Sequence, residues 1–223
     1  MKKPFTLKSR KSKSLNGIIF VPSDKSISIR ALIISSLCLG NSKIFNLLES
    51  EDVKHTLKSL KELGVKILKK KKYYEVYGEG GLYKKPKKRL YLGNSGTGVR
   101  LITGLLASRG LNITLVGDDS LSSRPMKRII EPLELMNLTV QSKKGCLPLK
   151  IVNKNKVPIP IDYNLKIGSA QIKSAILLAS TNIKGTTTIL EKFPSRNHTE
   201  IMLKFFGADI NRKGKKITIN SPN

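Results

Sequence analysis

The sequence has no tryptophan, two cysteines and two histidines among its 223 residues. Cys38 and Cys146 lie far apart, which excludes a disulfide framework and suits two inert thiols in a reducing compartment. His55 and His198 are isolated, so no zinc site is in view and no metal is expected. Acidic residues are scarce as well. Fifteen Asp and Glu stand against 42 Lys and Arg, for a formal net charge of +27. No apolar run reaches the roughly 18 residues of a membrane-spanning helix, so no membrane partner is expected. The basic stretch from Met1 to Ser14 lacks the apolar core of an export signal, and a cytoplasmic location is expected.

What is abundant is lysine. A basic excess of this size points to anionic partners: nucleic acid, a membrane surface, or small molecules bearing phosphate and carboxylate. The densest runs, Lys69–Lys72, Lys84–Arg89 and Lys213–Lys216, fall where turns are expected and read as solvated surface. A nucleic-acid site calls for aromatics interleaved with the basic residues. Tyr73, Tyr74, Tyr77 and Tyr83 come near that, but they alternate as a hairpin does, so no nucleic-acid partner is expected.

The chain repeats itself three times at intervals of about 70 residues, too long for an ordinary solenoid. The first motif recurs as Ser26 to Ile34, Ser95 to Thr103 and Ser169 to Leu178. Each is a small polar residue, a basic residue about a turn later (Arg30, Arg100, Lys173), then an apolar run, which predicts a helix start. The second motif begins at Ser50, Ser123 and Ser195. Each copy predicts a capped helix ending at Gly64, Asn137 or Gly207, residue types that tolerate the left-handed conformation. Short β-rich segments lie between: Lys43–Leu48, Asn112–Val116 and Thr186–Leu190. Gly17–Val21, Arg89–Leu92 and Ile159–Tyr163 precede the first helices. Two copies end in plain hairpins, Val65–Leu68 with Tyr73–Tyr77 and Ala208–Asn211 with Lys216–Asn220, turning near Gly214.

The expected fold is therefore α/β (α+β): one pseudo-threefold domain of three βαβαββ units, at about 17–80, 88–153 and 158–220. Residues 1–16 form an N-terminal segment outside it. Ala31 to Leu39, Leu101 to Ala107 and Ala175 to Ala179 are apolar on nearly all sides, so the first helices are expected at the centre.

A buried helix still offers its N-terminus, where unpaired N–H groups and the macrodipole favour an anion. The three starts carry Lys25, Ser26 and Arg30; Asn94, Ser95, Gly96, Thr97 and Arg100; and Ser169, Gln171 and Lys173. If they converge, they make a site for a ligand with several anionic groups. Asp24 reads either as a cap or as a partner of a neighbouring base. Pro125 suits a first helical position, which leaves Arg124 at the mouth. No carboxylate pair is legible at the starts.

At these residues the sequence resembles the 5-enolpyruvylshikimate-3-phosphate synthase family. The resemblance rests on Pro22 to Leu32, Leu92 to Thr97, Ser123 to Met126, Gly168 to Ala175 and Ser195 to Glu200, in order over nearly the whole chain. It implies one half of a two-domain enolpyruvyl transferase fold. It also implies transfer of the enolpyruvyl group of phosphoenolpyruvate to the 5-hydroxyl of shikimate 3-phosphate, through a tetrahedral intermediate, with release of phosphate and no cofactor. By motif position Lys25, Ser26, Arg30, Ser169, Ala170, Gln171 and Ser195 would hold shikimate 3-phosphate. Lys25, Asn94, Gly96, Arg124 and Gln171 would hold phosphoenolpyruvate, with Lys25 as the catalytic residue on this chain. Ile29 stands where many relatives carry histidine. The family chain is about twice as long, so the acid–base carboxylates and further basic contacts are expected from a second half, and this chain alone is expected to be inactive. Two other readings are a basic anion- or nucleic-acid-binding module without catalysis, and a relative of UDP-N-acetylglucosamine enolpyruvyl transferase. The latter usually has Asn and Cys where Ser26 and Asp119 stand here.

Overall fold

A computed structural model describes residues 6–221. Three helices lead the three units: α1 (Lys25–Leu37), α3 (Gly96–Ala107) and α6 (Ala170–Ser180). Each starts on a side-chain cap. The Asp24 carboxylate accepts from the Ile27 N–H at 2.7 Å, Ser95 Oγ from Gly98 at 3.2 Å, and Ser169 Oγ from Ile172 at 3.4 Å. Asp24 is thus a cap, and its charge also acts on the neighbouring Arg30 without an ion pair. Beyond the caps the helices are apolar on most sides, so they make the centre of the core, with Ile29, Leu32, Ile102, Leu105, Ile176 and Leu177 fully enclosed.

Each unit also has a principal second helix: α2 (Glu51–Glu62), α5 (Lys127–Leu135) and α7 (His198–Phe205). A one-turn helix, α4 (Asp119–Ser122), precedes α5. These three are amphipathic and lie outside the first set. Helix α2 packs against α1 and α3, α5 against α3 and α6, and α7 against α6 and α1, which closes a threefold cycle. Each is followed by a residue at positive φ: Gly64 at 94°, Asn137 at 61° and Gly207 at 89°.

Three sheets cover the helices. The first contains β1 (Leu39–Phe45), β2 (Lys66–Lys69) and β3 (Tyr73–Glu79), in the order β1-β3-β2. The second contains β4 (Leu90–Tyr91), β5 (Ile113–Val116), β6 (Thr139–Lys143) and β7 (Cys146–Val152), in the order β4-β5-β7-β6. The third contains β8 (Asp162–Leu165), β9 (Gly185–Glu191), β10 (Asp209–Lys213) and β11 (Lys216–Ser221), in the order β10-β11-β9-β8. In the second and third sheets the strand that enters a first helix pairs in parallel with the strand that leaves it: Leu90 opposite Leu115, and Tyr163 opposite Ile189. All three sheets contain a closing hairpin, including the middle one, where β6 and β7 turn at Lys144 and Gly145.

The structure corrects several sequence expectations. Gly17–Val21 is not a strand; Phe20 is 98% exposed and the first sheet has three strands among the described residues. A strand needs a paired neighbour, and the outer edge of β1 takes none there. Of the expected N-terminal segment 1–16, residues 1–5 lie outside the described residues. The strand expected at Ile159–Tyr163 begins at Asp162, because Pro158 and Pro160 cannot donate to a ladder. Pro125 is not at the start of a helix: Met126 occupies the cap of α5, with its N–H on Gly145 O at 2.7 Å. Nor do the second-motif serines cap. Ser50 sits at the N-cap of α2 without a side-chain bond, and Ser195 lies in the loop before α7. Among the described residues, no helix is long and apolar enough to cross a membrane.

Candidate anion site at three helix starts

Hydrogen bonds between the first helices show that they run the same way. Start meets start: Gln171 Nε2 donates to Thr97 Oγ1 at 3.0 Å. Arg30, in the second turn of α1, donates to Ser174 Oγ on α6 at 3.2 Å and to Thr199 Oγ1 on α7 at 2.7 Å. End meets end: Arg109 donates to Thr181 Oγ1 at 3.0 Å, and Asn182 donates to Ser108 O at 2.7 Å. Midway, α3 and α6 touch so closely that a methyl on Gly104 would run into the backbone of Ala175. The helix starts therefore gather at one end, and their positive dipole ends add there.

Cations occupy that end. No acidic residue lies in the first turn of α1, α3 or α6 among the described residues, whereas α2 begins with Glu51 and Asp52 and α7 carries Glu200. Arg30 is 2% exposed and its hydrogen-bond partners are neutral: Thr199, Ser174 and the Ser26 carbonyl. Burial pushes its pKa down and Arg196 nearby pushes it further, against the opposing pull of Glu200 and Asp24. Arg124 donates to Asn94 Oδ1 at 2.7 Å. Arg100 has its pKa lowered by burial and then by Arg124 and Arg128. None of these three guanidiniums, Arg100, Arg124 or Arg128, is ion-paired among the described residues. A methyl on Gly96 would lie 2.9 Å from Arg124 Nη1 and 3.1 Å from Arg100 Nη1, so only glycine leaves both groups in place. Arg30 is buried and Arg100 and Arg124 are half-buried, and an unpaired cation partly withdrawn from water at the positive end of a helix carries a cost that an anion relieves.

Lys25 stands at the exposed rim and is paired with Asp52 Oδ2 at 2.7 Å. Ser26 and Ser169 are half-buried, and Ala170 is buried beneath them in the first turn of α6. The Ser195 hydroxyl is hydrogen-bonded to Glu191. Every residue singled out from the sequence therefore lies at or beside this end, with one change of role. Lys173, read as a basic group of the third start, is fully enclosed and spent on two carboxylates, Glu191 at 3.0 Å and Glu200 at 2.7 Å. Arg212 binds the same pair, at 3.1 Å and 3.3 Å. Burial alone raises the Glu191 carboxyl, but Ser195, Lys173 and Arg212 together hold it below its usual range.

Two acidic features were missed. Asp52 lies one position after the residue of its unit that corresponds to Arg124 and Arg196, so the repeat held a signal for it: the first unit carries acids where the others carry arginine. The Glu191–Glu200 pair contradicts the expectation of no carboxylate pair. Nothing in the sequence marked Glu191, which sits at the end of β9. Among the described residues, no group of three or more His, Cys, Asp or Glu could hold a metal. An open cavity of about 610 Å³ lies elsewhere, between α5 and β6. The helix-start face suits a charged ligand that needs donors more than apolar enclosure.

Comparisons with known proteins agree with this architecture. The family model for EPSP synthase (3-phosphoshikimate 1-carboxyvinyltransferase) matches residues 9–223. A 3-phosphoshikimate 1-carboxyvinyltransferase of Bradyrhizobium sp. (strain ORS 278) is 47% identical over 211 residues, covering 93% of this chain and 47% of that protein. One of Nitrobacter winogradskyi is 46% identical over 226 residues, covering 96% and 50%. The solved EPSP synthase of Acinetobacter baumannii superposes with a TM-score of 0.87 at 38% identity, over 93% of this chain and 47% of that one. The enolpyruvyl transferase NikO of Streptomyces tendae has a TM-score of 0.68 at 14% identity over 94% of this chain and 49% of its own, a likeness of fold. The chain spans about half the length of the curated relatives it matches.

Proposed function

The chain belongs to the EPSP synthase family, and from that premise we propose that its helix-start face binds shikimate 3-phosphate and part of phosphoenolpyruvate for enolpyruvyl transfer. The observation that carries the proposal is the set of unpaired guanidiniums on the positive ends of buried helices. The two substrates bring two phosphates and two carboxylates, and Arg30, Arg100 and Arg124 have no ion-pair partner on this face among the described residues. Ser26, Arg30, Ser169, Ala170, Gln171 and Ser195 hold shikimate 3-phosphate, with Lys25 at the edge. Asn94, Gly96 and Arg124 hold phosphoenolpyruvate, and Gln171 reaches both ligands. Lys25 leaves Asp52 to neutralise the phosphate that departs from the tetrahedral intermediate. The cysteines are both free, which suits a cytoplasmic location.

General acid–base chemistry needs a carboxylate within reach and free to exchange a proton. Here Asp24 caps α1, Asp52 holds Lys25, and Glu191 and Glu200 are tied to Lys173 and Arg212. The proposal therefore assigns proton transfer to the part of the relatives' length that this chain does not span.

The test is calorimetric titration of the purified chain at moderate salt. Saturable binding of shikimate 3-phosphate is expected, with none by shikimate or inorganic phosphate at equal concentration, and no sustained phosphate release with both substrates. Equal binding of any polyanion, lost steeply with salt, would instead identify an unspecific basic surface. Sustained release would refute the argument from the carboxylates.

A further inference from the structure

Arg100 was read from the sequence as one more cation for the ligand. Its geometry is different. One terminal nitrogen, Nη1, donates to Gly96 O in the first turn of its own helix at 3.1 Å. The other, Nη2, donates to Pro125 O at 3.1 Å, in the loop that carries Arg124. The guanidinium thus bridges α3 to the peptide that follows Arg124. The rest of that loop is fastened at its two ends. Asp118 N–H donates to Gly93 O at 3.0 Å, and Met126 N–H donates to Gly145 O at 2.7 Å. Between these points the backbone bonds mostly to itself, as Arg124 N–H does to Leu121 O at 3.1 Å, with a weak Cys146 Sγ contact to Ser123 O at 3.7 Å.

We propose that Arg100 is a positioning residue, a clasp that fixes the Arg124 loop to the start of α3 so that Arg124 and Gly96 face one anion together. The proposal rests on the reading of this face as the phosphoenolpyruvate side of the site. The clasp holds two like charges close together: Gly96 is flanked by Arg124 Nη1 and Arg100 Nη1, and Arg100 is depressed by burial and by its arginine neighbours. Two carbonyl acceptors keep Arg100 turned toward the backbone in spite of that repulsion. The planar fork meets the two carbonyls with separate nitrogens in a fixed geometry; a lysine at the same place keeps the charge but would have to serve both from one nitrogen on a shorter stem.

That difference supplies the test, on the full chain. Arg100→Lys and Arg100→Met are compared with the unmodified protein by amide hydrogen exchange and by titration with phosphoenolpyruvate. Exchange at Leu121–Met126 is expected to rise several-fold in both variants, with the amides of α6 unchanged. Affinity for phosphoenolpyruvate is expected to fall roughly ten-fold in both, since binding groups must be held to about half an ångström. Wild-type exchange and affinity in Arg100→Lys would overturn the clasp, because charge alone would then suffice. Faster exchange with unchanged affinity would overturn its part in anion binding. If the unmodified chain binds no phosphoenolpyruvate while exchange rises in both variants, the clasp stands and the reading of the site falls.

Discussion

The two ends of the α1–α3–α6 bundle are built from the same three helices and carry arginine for opposite reasons. At the C-terminal end Arg109 sits where a cation is favoured, against the negative ends of the dipoles. It donates to Leu105 O and to Thr181, and stacks 5.7 Å over the ring of Tyr83, whose hydroxyl shares a 2.8 Å hydrogen bond with Ser36 near the end of α1. A methyl on Gly81 would press on the same guanidinium. That end is closed by the protein's own groups. At the N-terminal end Arg30, Arg100 and Arg124 sit where a cation is disfavoured, and none of them is ion-paired among the described residues, although the charges of Glu200 and Asp24 act on Arg30 from beyond ion-pair distance. Arginine that follows the dipole contributes to folding; under the proposed function, arginine placed against it is kept for a ligand.

Lys173 gives the comparison its sharpest test, because it lies at the N-terminal end yet behaves as structure. Lys173→Met would leave Glu191 and Glu200 buried beside each other with only Arg212. Loss of one member of such a network costs about 3–5 kcal/mol. Denaturant unfolding should show it. A loss below about 1 kcal/mol would place Lys173 with the ligand cations instead. The same network sets an acid limit. The folded Glu191 carboxyl is held below its usual value of 4.5, so its contribution is fully present above that pH and lost as pH falls through the folded pKa. In Lys173→Met that loss should begin at higher pH than in the unmodified chain.

Arg109→Met is expected to cost about 1–3 kcal/mol. It keeps most of the apolar stem but loses the bonds to Leu105 O and Thr181, the ring contact and the charge facing the dipoles. Anion binding at the far end should not change. A variant as stable as the unmodified chain would remove the structural half of the comparison.

Legibility from sequence follows the same division. The threefold order, the buried first helices and the closing hairpins were readable because apolar periodicity and the spacing of Ser26, Ser95 and Ser169 are local patterns. The cations of the start face were readable because they recur. Lys173 was misread because its pattern matches Arg30 and Arg100, while its partners, Glu191 and Glu200, come from β9 and α7 and meet it only in the folded chain. Gly17–Val21 was misread for the converse reason: its β-forming residues are real, but a strand exists only with a neighbour, and pairing is not encoded in the segment itself.

Arg124→Gln carries the smallest effect on stability and the clearest sign. The substitution removes one of three clustered guanidiniums and retains an amide that can still meet Asn94 Oδ1. Relief of like-charge repulsion then offsets the lost contact, and stability should stay level or rise by up to about 0.5 kcal/mol. Phosphoenolpyruvate affinity should fall at the same time, since a charged bidentate donor is exchanged for a neutral one. Thermal unfolding and titration of one sample read both quantities. Should Arg124→Gln lose as much stability as Arg109→Met, position along the dipole would no longer separate structural from functional arginine. The N-terminal end would then be a second closed plug rather than an open site.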